Sequence, residues 1–541
     1  MGWLSPITRI VLVWGVLGAP ASAADPGATK PEPKPSRIQQ LIAQLGHESY
    51  AERQRAQEEL AKFGFDAYDE LTKAKDHPDL EIASRARYLL RLIRVQWTSE
   101  NDPPHVKKIL QDYEIQSPEV RLSKIVRLAR IGKGAAVPAL CRLVRFEDDR
   151  LPILSKYAAM ELLRREPTDP AARARHAQML REHLGDSRQP GAVWLTTYLR
   201  LRANPQAVLP EWTKLVEAEQ ALLLRSPERS HVEFVATLLY QQALVEMDHG
   251  DAQAAEQTAH RARQSISTGR AAQIGAHLDT AFALRERGLF RWAELEYREV
   301  LNAGMNLYWP RAQIGLSEMW HDQGKHLAAA EARQELLQAV EQGKLRNVNL
   351  DVAVGMTPAE VRARMNYFFA CHWEEQGDRQ KQRKHLDEAL QFDPEEIDTL
   401  IACYRLPGQP AEYQRKIAEL IEKAASALVT DIEDQPDNAA NYNQYAWLVG
   451  NTVGDYDKAL EFARKALELS PDNSAYLDTL ARVYFAKGDL ENAVKYQTLA
   501  HENDPHSGLI AKQLKLFQDA LAARKPEAEK GRPAQAEKGK P

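Results

Sequence analysis

Two histidine pairs, one cysteine–histidine neighbour pair and one glycine-containing turn come nearest, by type and spacing, to chemistry. In "HENDPH", His501 and His506 stand five apart. Zinc binding from one helical face needs two histidines four apart, and Pro505 interrupts the helix between them. "HDQGKH" sets His321 and His326 around Gly324 with no further ligand nearby, which fits an exposed turn and not a metal site. Cys371 and His372 diverge by about 100 degrees on a helix and cannot work as nucleophile and base. "RIGKGAAVP" has two glycines and follows no strand, unlike a phosphate loop, and no Gly-x-Ser-x-Gly occurs. The chain is therefore expected not to be an enzyme, to bind no metal and to need no cofactor.

The elements that would position any binding residues are helices. Apolar residues recur at three and four along most of the chain, with prolines in the gaps between such runs. One exception is "RNVNLDVAVG" from Arg346, where Val348, Leu350, Val352 and Val354 alternate as in an extended segment. The expected class is all-α with one extended insertion.

Stretches that open on Gly and close on Pro 17 residues later recur at Gly377, Gly454 and Gly488, the last two 34 residues apart. Gly250, Gly288 and Gly324 mark weaker copies, at spacings of 38 and 36. Five residues after the Gly stand Ala459, Ala493, Gln382, Ala255, Ala293 and Ala329; twelve after stand Ala466, Ala500, Ala389, Ala262, Val300 and Leu336. Seven before it stand Ala481, Ala370, Ala243, Ala281 and Ser317, whereas Ala446 precedes Gly454 by eight, as if one residue were inserted. Small residues at these places let two helices approach around a Gly turn, and an Asp after the Gly can cap the second helix. The unit resembles the tetratricopeptide repeat, a 34-residue helix-turn-helix module. The resemblance covers about Phe234 to Asp504 and implies a helical-repeat solenoid whose first helices line a curved inner face that binds peptides or partner helices. A longer hairpin turning near Gly408 brings the number of units to about seven.

Offsets from the glycines place Arg311, Arg364, Tyr367, Asn441, Gln444 and Arg482 on that inner face. Arg, amide and aromatic groups of this kind suit a peptide backbone or carboxylate. In "MNYFFACHWEEQG" most of the other aromatic residues are expected in the core.

Upstream, "YAERQRAQEELAKFGFDAYDELTKA" and "SPEVRLSKIVRLARIGKGAAVPALCRLV" share Arg53 and Arg121, Gly64 and Gly132, and Ala67 and Ala135 at matching intervals. They look like HEAT-type helical hairpins. The expected organisation is a signal peptide at 1–23, a disordered Pro-rich linker at 24–36, HEAT-like hairpins at 37–165, a helical connector at 166–232, the repeat solenoid at 233–515 and a disordered Lys/Glu/Pro tail at 516–541. Arg9, the apolar run Ile10 to Leu17 and Ala21-Ser22-Ala23 give the first segment the layout of a secretory signal. Export to a periplasmic or extracellular location follows, with no transmembrane segment in the mature chain.

Three cysteines in 541 residues leave stability to packing, and Cys371 and Cys403 read as small buried thiols. A formal charge of −5, without a basic block, argues against a nucleic-acid partner. The sequence thus predicts an exported scaffold that binds protein or peptide partners on the inner face of a solenoid. Its alternatives are a glycan- or peptide-processing enzyme of the envelope on a helical toroid, or a purely structural spacer.

Overall fold

The computed structural model describes residues 37–93, 95–132, 134–147, 152–226, 230–266, 271–346, 348–471 and 473–530. The expected signal peptide and Pro-rich linker lie outside the described residues. Among the described residues every regular element is a helix, as the periodicity predicts. The chain divides into two compact units, one up to residue 94 and one from residue 95. That boundary falls inside the stretch expected to form one set of hairpins at 37–165.

The first unit holds α1 (Arg37–Gln44), α2 (Tyr50–Phe63), α3 (Tyr68–Ala74) and α4 (Leu80–Leu92). The second opens with α5 (Pro104–Leu110), α6 (Pro118–Ala129), α7 (Val137–Phe146), α8 (Pro152–Arg164), α9 (Pro170–Leu184), α10 (Pro190–Ala203) and α11 (Pro205–Arg225). The two stretches fold as α2, a tight turn at Gly64–Ala67 and α3, and as α6 and α7, one in each unit. Their shared arginine has the same task in both. Arg53 donates to the carbonyls of His47 and Glu48 just before its helix, and Arg121 donates to that of Glu114. Each closes the turn that leads into its own hairpin.

From residue 232 the chain is a run of helix pairs: α12 (Val232–Asp248) with α13 (Ala252–Gln264), α14 (Ala271–Glu286) with α15 (Phe290–Asn302), and α16 (Trp309–Asp322) with α17 (His326–Glu341). After the short α18 (Leu350–Val354) come α19 (Pro358–Glu375) with α20 (Arg379–Phe392), and α21 (Ile397–Arg405) with α22 (Ala411–Asp434). The run ends with α23 (Ala439–Asn451) and α24 (Tyr456–Leu469), α25 (Ser474–Ala486) and α26 (Leu490–Asn503), and the single α27 (Gly508–Lys530). These are the seven expected hairpins of a helical-repeat solenoid.

Their cause is visible residue by residue. Each of the seven hairpins turns on a glycine with positive φ, from 71° at Gly288 to 146° at Gly454. A side chain there would clash with its own backbone. Asp251, Asp378, Asp455 and Asp489 accept hydrogen bonds from backbone N–H groups that open the second helices. Leu289 and Lys325 hold the same place in their units without a side-chain cap, and both units fall among the weaker copies. In the other six hairpins the residues five and twelve after the turn glycine, and seven or eight before it, are buried, whereas after Gly408 Tyr413 and Leu420 are partly buried. They are the surfaces on which paired helices meet.

Two expectations fail. Residues 350–354 are helical, not extended: Asn349 caps α18 by accepting from Val352 N at 3.2 Å, and Gly355 ends it at φ 69°. Leu350 and Ala353 are buried at helical spacing while Val352 points outward. The apparent alternation was a coincidence of branched residues on a five-residue helix. The tail from 516 does not begin as disorder either, since α27 continues to Lys530. Phe517 is fully buried and stacks on Phe485 at 4.4 Å, and Arg524 donates to the Gly488 carbonyl at 3.2 Å. Residues 531–541 of the expected tail lie outside the described residues. Cys141, Cys371 and Cys403 carry free thiols.

Candidate functional site

A polar strip crosses the first helices of five successive hairpins, α16, α19, α21, α23 and α25. At its centre Arg364 of α19 reaches Glu318 of α16 at 3.8 Å and Glu396 before α21 at 3.0 Å, and pairs with Asp398 of α21. Its guanidinium also lies 5.0 Å from the Tyr367 ring and 5.1 Å from that of Phe368. Asp398 accepts from the Trp447 indole of α23 at 2.9 Å. Arg405 of α21 donates to Asn451 of α23, and Arg482 of α25 donates to the Gly450 carbonyl at 3.0 Å. Each side chain links its helix to a neighbouring one, so the strip is continuous.

Burial alone would push the Arg364 guanidinium down, but Asp398, Glu318 and Glu396 hold it well above its usual value. Asp398 is pushed up by burial and drawn down further by Arg364 and Trp447, ending below the usual carboxylate range. Glu318 also ends lowered, its burial outweighed by Arg364 and Arg333. Glu396 ends raised, because burial and the neighbouring Asp398 outweigh Arg364. Three carboxylates around one guanidinium leave one of them the easiest to protonate, and that one is Glu396.

Beneath the strip, Arg333 of α17 is almost fully buried. It pairs with Glu318, donates to Ser317 Oγ at 3.1 Å and covers the Phe368 ring at 5.1 Å. The "HDQGKH" turn is not the exposed loop expected. His321 and His326 are both buried, their Nδ1 atoms 2.9 Å apart, and His321 stacks on Phe368 at 4.2 Å. Burial, Arg364 and His326 lower His321 to about 3, so it is neutral at pH 7 and serves as packing. His501 lies in the last turn of α26 and His506 beyond its end, apart as their spacing requires. Among the described residues no group of three His, Cys, Asp or Glu is placed to hold a metal.

Of the residues picked from the sequence, Arg364, Tyr367 and Arg482 lie on the strip. Arg364 is no free cation awaiting a ligand, because its charge is met by three carboxylates. Arg311, thirteen before its turn glycine as Arg364 is, donates instead to the Ala353 carbonyl of α18. Asn441 donates back to the Asp431 carbonyl of α22 at 3.2 Å, and Gln444 is exposed. Sequence reasoning missed Glu318, Glu396, Asp398 and Trp447. A signal was present: each lies in or at the start of a first helix, where an acid on an adjacent hairpin answers an arginine or an indole answers an acid. Offsets within one unit cannot reveal such pairs between units.

The family model described as Tetratricopeptide repeat matches residues 453–507, from the turn before α24 to the loop before α27. Those residues carry the tetratricopeptide repeat. Photosystem I assembly protein Ycf3 of Cyanophora paradoxa is 33% identical over 87 residues, 16% of this chain. The chain spans about half of that relative's length, 49%. Among solved structures, a tetratricopeptide repeat protein from Parabacteroides merdae is 13% identical over 52% of this chain and 98% of its own, with a TM-score of 0.28. The TPR2AB domain of yeast Sti1, in a pHSP90 complex, is 13% identical over 46% of this chain and 98% of its own, with a TM-score of 0.18. The repeat matched at residues 453–507 supports an interaction scaffold in general terms.

Proposed function

We propose that the chain is an exported scaffold that holds protein or peptide partners on the inner face of its repeat region and carries out no chemistry of its own. The observation that carries this reading is the continuous polar strip across five first helices. The Arg364 charge is met by carboxylates and Arg405 and Arg482 are tied to neutral acceptors, so the surface is rigid and needs little reorganisation when a partner docks, which lowers the cost of binding. The name of the matched relative, an assembly protein, is in keeping with a scaffold. Exposed groups at the strip's margins, Arg311 and Gln444, are the ones offered to a partner. Export rests on Arg9, the apolar run after it and Ala21-Ser22-Ala23.

Capture from an envelope extract tests the reading. Arg311→Ala with Gln444→Ala should weaken recovery of the captured partners roughly tenfold, about 1.4 kcal/mol, with unchanged helical circular dichroism. Equal capture by parent and variant would move the site elsewhere, first to the apolar groove along α22 lined by Ile421, Ala425, Val429, Tyr445 and Val449. N-terminal sequencing should give Ala24 or Asp25. Recovery from the cytosol with Met1 intact would refute export.

A further inference from the structure

The loop after α26 and the first turns of α27 return to the early hairpins. The His506 ring lies on the turn of the α14–α15 hairpin. A Cβ added at Gly288 would come within 2.3 Å of His506 Cγ and Nδ1. His506 Nε2 is hydrogen bonded to Thr168 Oγ1, before α9, at 3.0 Å, and its ring meets Phe290 edge-on at 6.4 Å. Two residues on, a Cβ at Gly508 would stand 2.8 Å from the carbonyl oxygen of Asp322, the last residue of α16. Lys512 then approaches Glu375, the last residue of α19, at 3.9 Å. Residues 506, 508 and 512 therefore touch, in order, the C-terminal ends of three successive first helices. Two of these approaches are close enough that only glycine fits, on one side or the other.

We infer that residues 504–512 are a clasp, a self-contact that holds the repeat superhelix closed along the rim of its inner face and whose release widens access to that face. The inference rests on the proposed inner-face site but is separable from it. The contact is small: one hydrogen bond, one ring seated on a glycine, one backbone approach and one exposed ion pair. The hairpins it joins are each held by buried alanine interfaces. Opening the clasp therefore separates two ends of the superhelix without unfolding a hairpin, because a solenoid's stability is local to neighbouring units. A partner that contacts the inner face more fully in the open form will favour opening by its difference in affinity for the two forms.

Cys371 supplies a probe that needs no partner. It follows Arg364 and Tyr367 on the strip side of α19, one turn before Glu375. Burial raises its thiol to about 12, so a thiol reagent labels it slowly in the closed form. Cys141 and Cys403 are buried in the hairpin cores. His506→Ala with Gly508→Ala removes the ring and sets a methyl against the Asp322 carbonyl, while alanine at 508 favours helix α27. The double variant should exchange the amides of residues 505–512 faster and label Cys371 roughly tenfold faster, a factor equal to about 1.4 kcal/mol of closing free energy. Circular dichroism should not change. Unchanged exchange at 505–512 would mean that these contacts close nothing. Faster exchange with parental labelling of Cys371 would mean that the clasp does not control the face. Either result overturns the inference. Faster labelling without any captured partner supports the clasp and counts against the scaffold reading instead.

Discussion

Replacing Arg364 by alanine should destabilise the middle of the repeat region, and the loss should shrink in acid. The substitution leaves Glu396 and Asp398 without a cation while Glu318 keeps Arg333; the three side chains are 14, 27 and 31% exposed. Removing one partner of a buried ion pair costs about 3 to 5 kcal/mol, because the survivor stays desolvated and unpaired. Partial exposure here lets water relieve some of that, so the lower end, about 3 kcal/mol at pH 7, is expected. Asp398, held low in the parent, contributes stability present above the usual carboxylate pKa of about 4 and lost as pH falls. The variant lacks that contribution, and its Glu396 takes up a proton most readily. Near pH 3.5 the gap between parent and variant should therefore fall to roughly half. Hydrogen exchange of α19 and α21 amides, with guanidinium unfolding at both pH values, measures it locally. Arg364→Lys, which keeps the charge but loses the fork, should fall between. A loss below about 1 kcal/mol at pH 7, or an equal loss at both pH values, would refute the account of the strip.

Ala493→Leu should cost about 1 to 3 kcal/mol by overpacking the α25–α26 interface, read as a lowered melting temperature; an unchanged one would disprove the registration of the repeats. Phe517→Ala should cost about 3 to 4 kcal/mol in guanidinium unfolding, whereas a disordered tail would show no effect. His321, lowered to about 3 against an ordinary 6.5, contributes stability that is complete above pH 6.5 and is lost as pH falls. His321→Phe should flatten the acid side of the stability curve by up to about 1.4 kcal/mol per pH unit in that window. Asp279, Asp322 and Asp478, each raised to about 6 by burial first, act in the opposite sense. Only the difference between parent and variant isolates the histidine, and parallel curves would exclude it.

What could be read from the sequence was whatever one hairpin decides for itself. Gly454 and Gly488 announce turns because no other residue takes their φ. Ala459 and Ala493 announce interfaces because two helix axes meet there. Asp455 and Asp489 announce helix starts through bonds two or three residues long. What escaped depends on distant partners or on very short elements. Arg364 looked like an available cation because its answering acids are as far as Asp398, on the next hairpin. His321 looked exposed because Phe368, which covers it, belongs to another unit. Residues 516–530 looked like tail because "AEKG" outweighs Leu516 and Phe517 in composition, although Phe517 stacks on Phe485 and Arg524 bonds the Gly488 carbonyl. In α18 a cap at Asn349 decides the conformation, and five residues are too few for periodicity to report it.

The extra residue before Gly454 shows where such a protein can change length. The helix α23 ends at Asn451, Thr452 leaves helical geometry at φ −131° and ψ −119°, and Gly454 turns at φ 146°. Asp455 then opens α24 on schedule, and Ala459 and Ala466 return to buried positions. The slack is absorbed within one loop and is not handed on to the next pair of helices. An inherited insertion or deletion in a turn is thus a local event, whereas one inside a helix would rotate every later alanine away from its neighbour. Over generations the linkers of this chain are free to drift in length, and the spacing of its small residues within each helix is not.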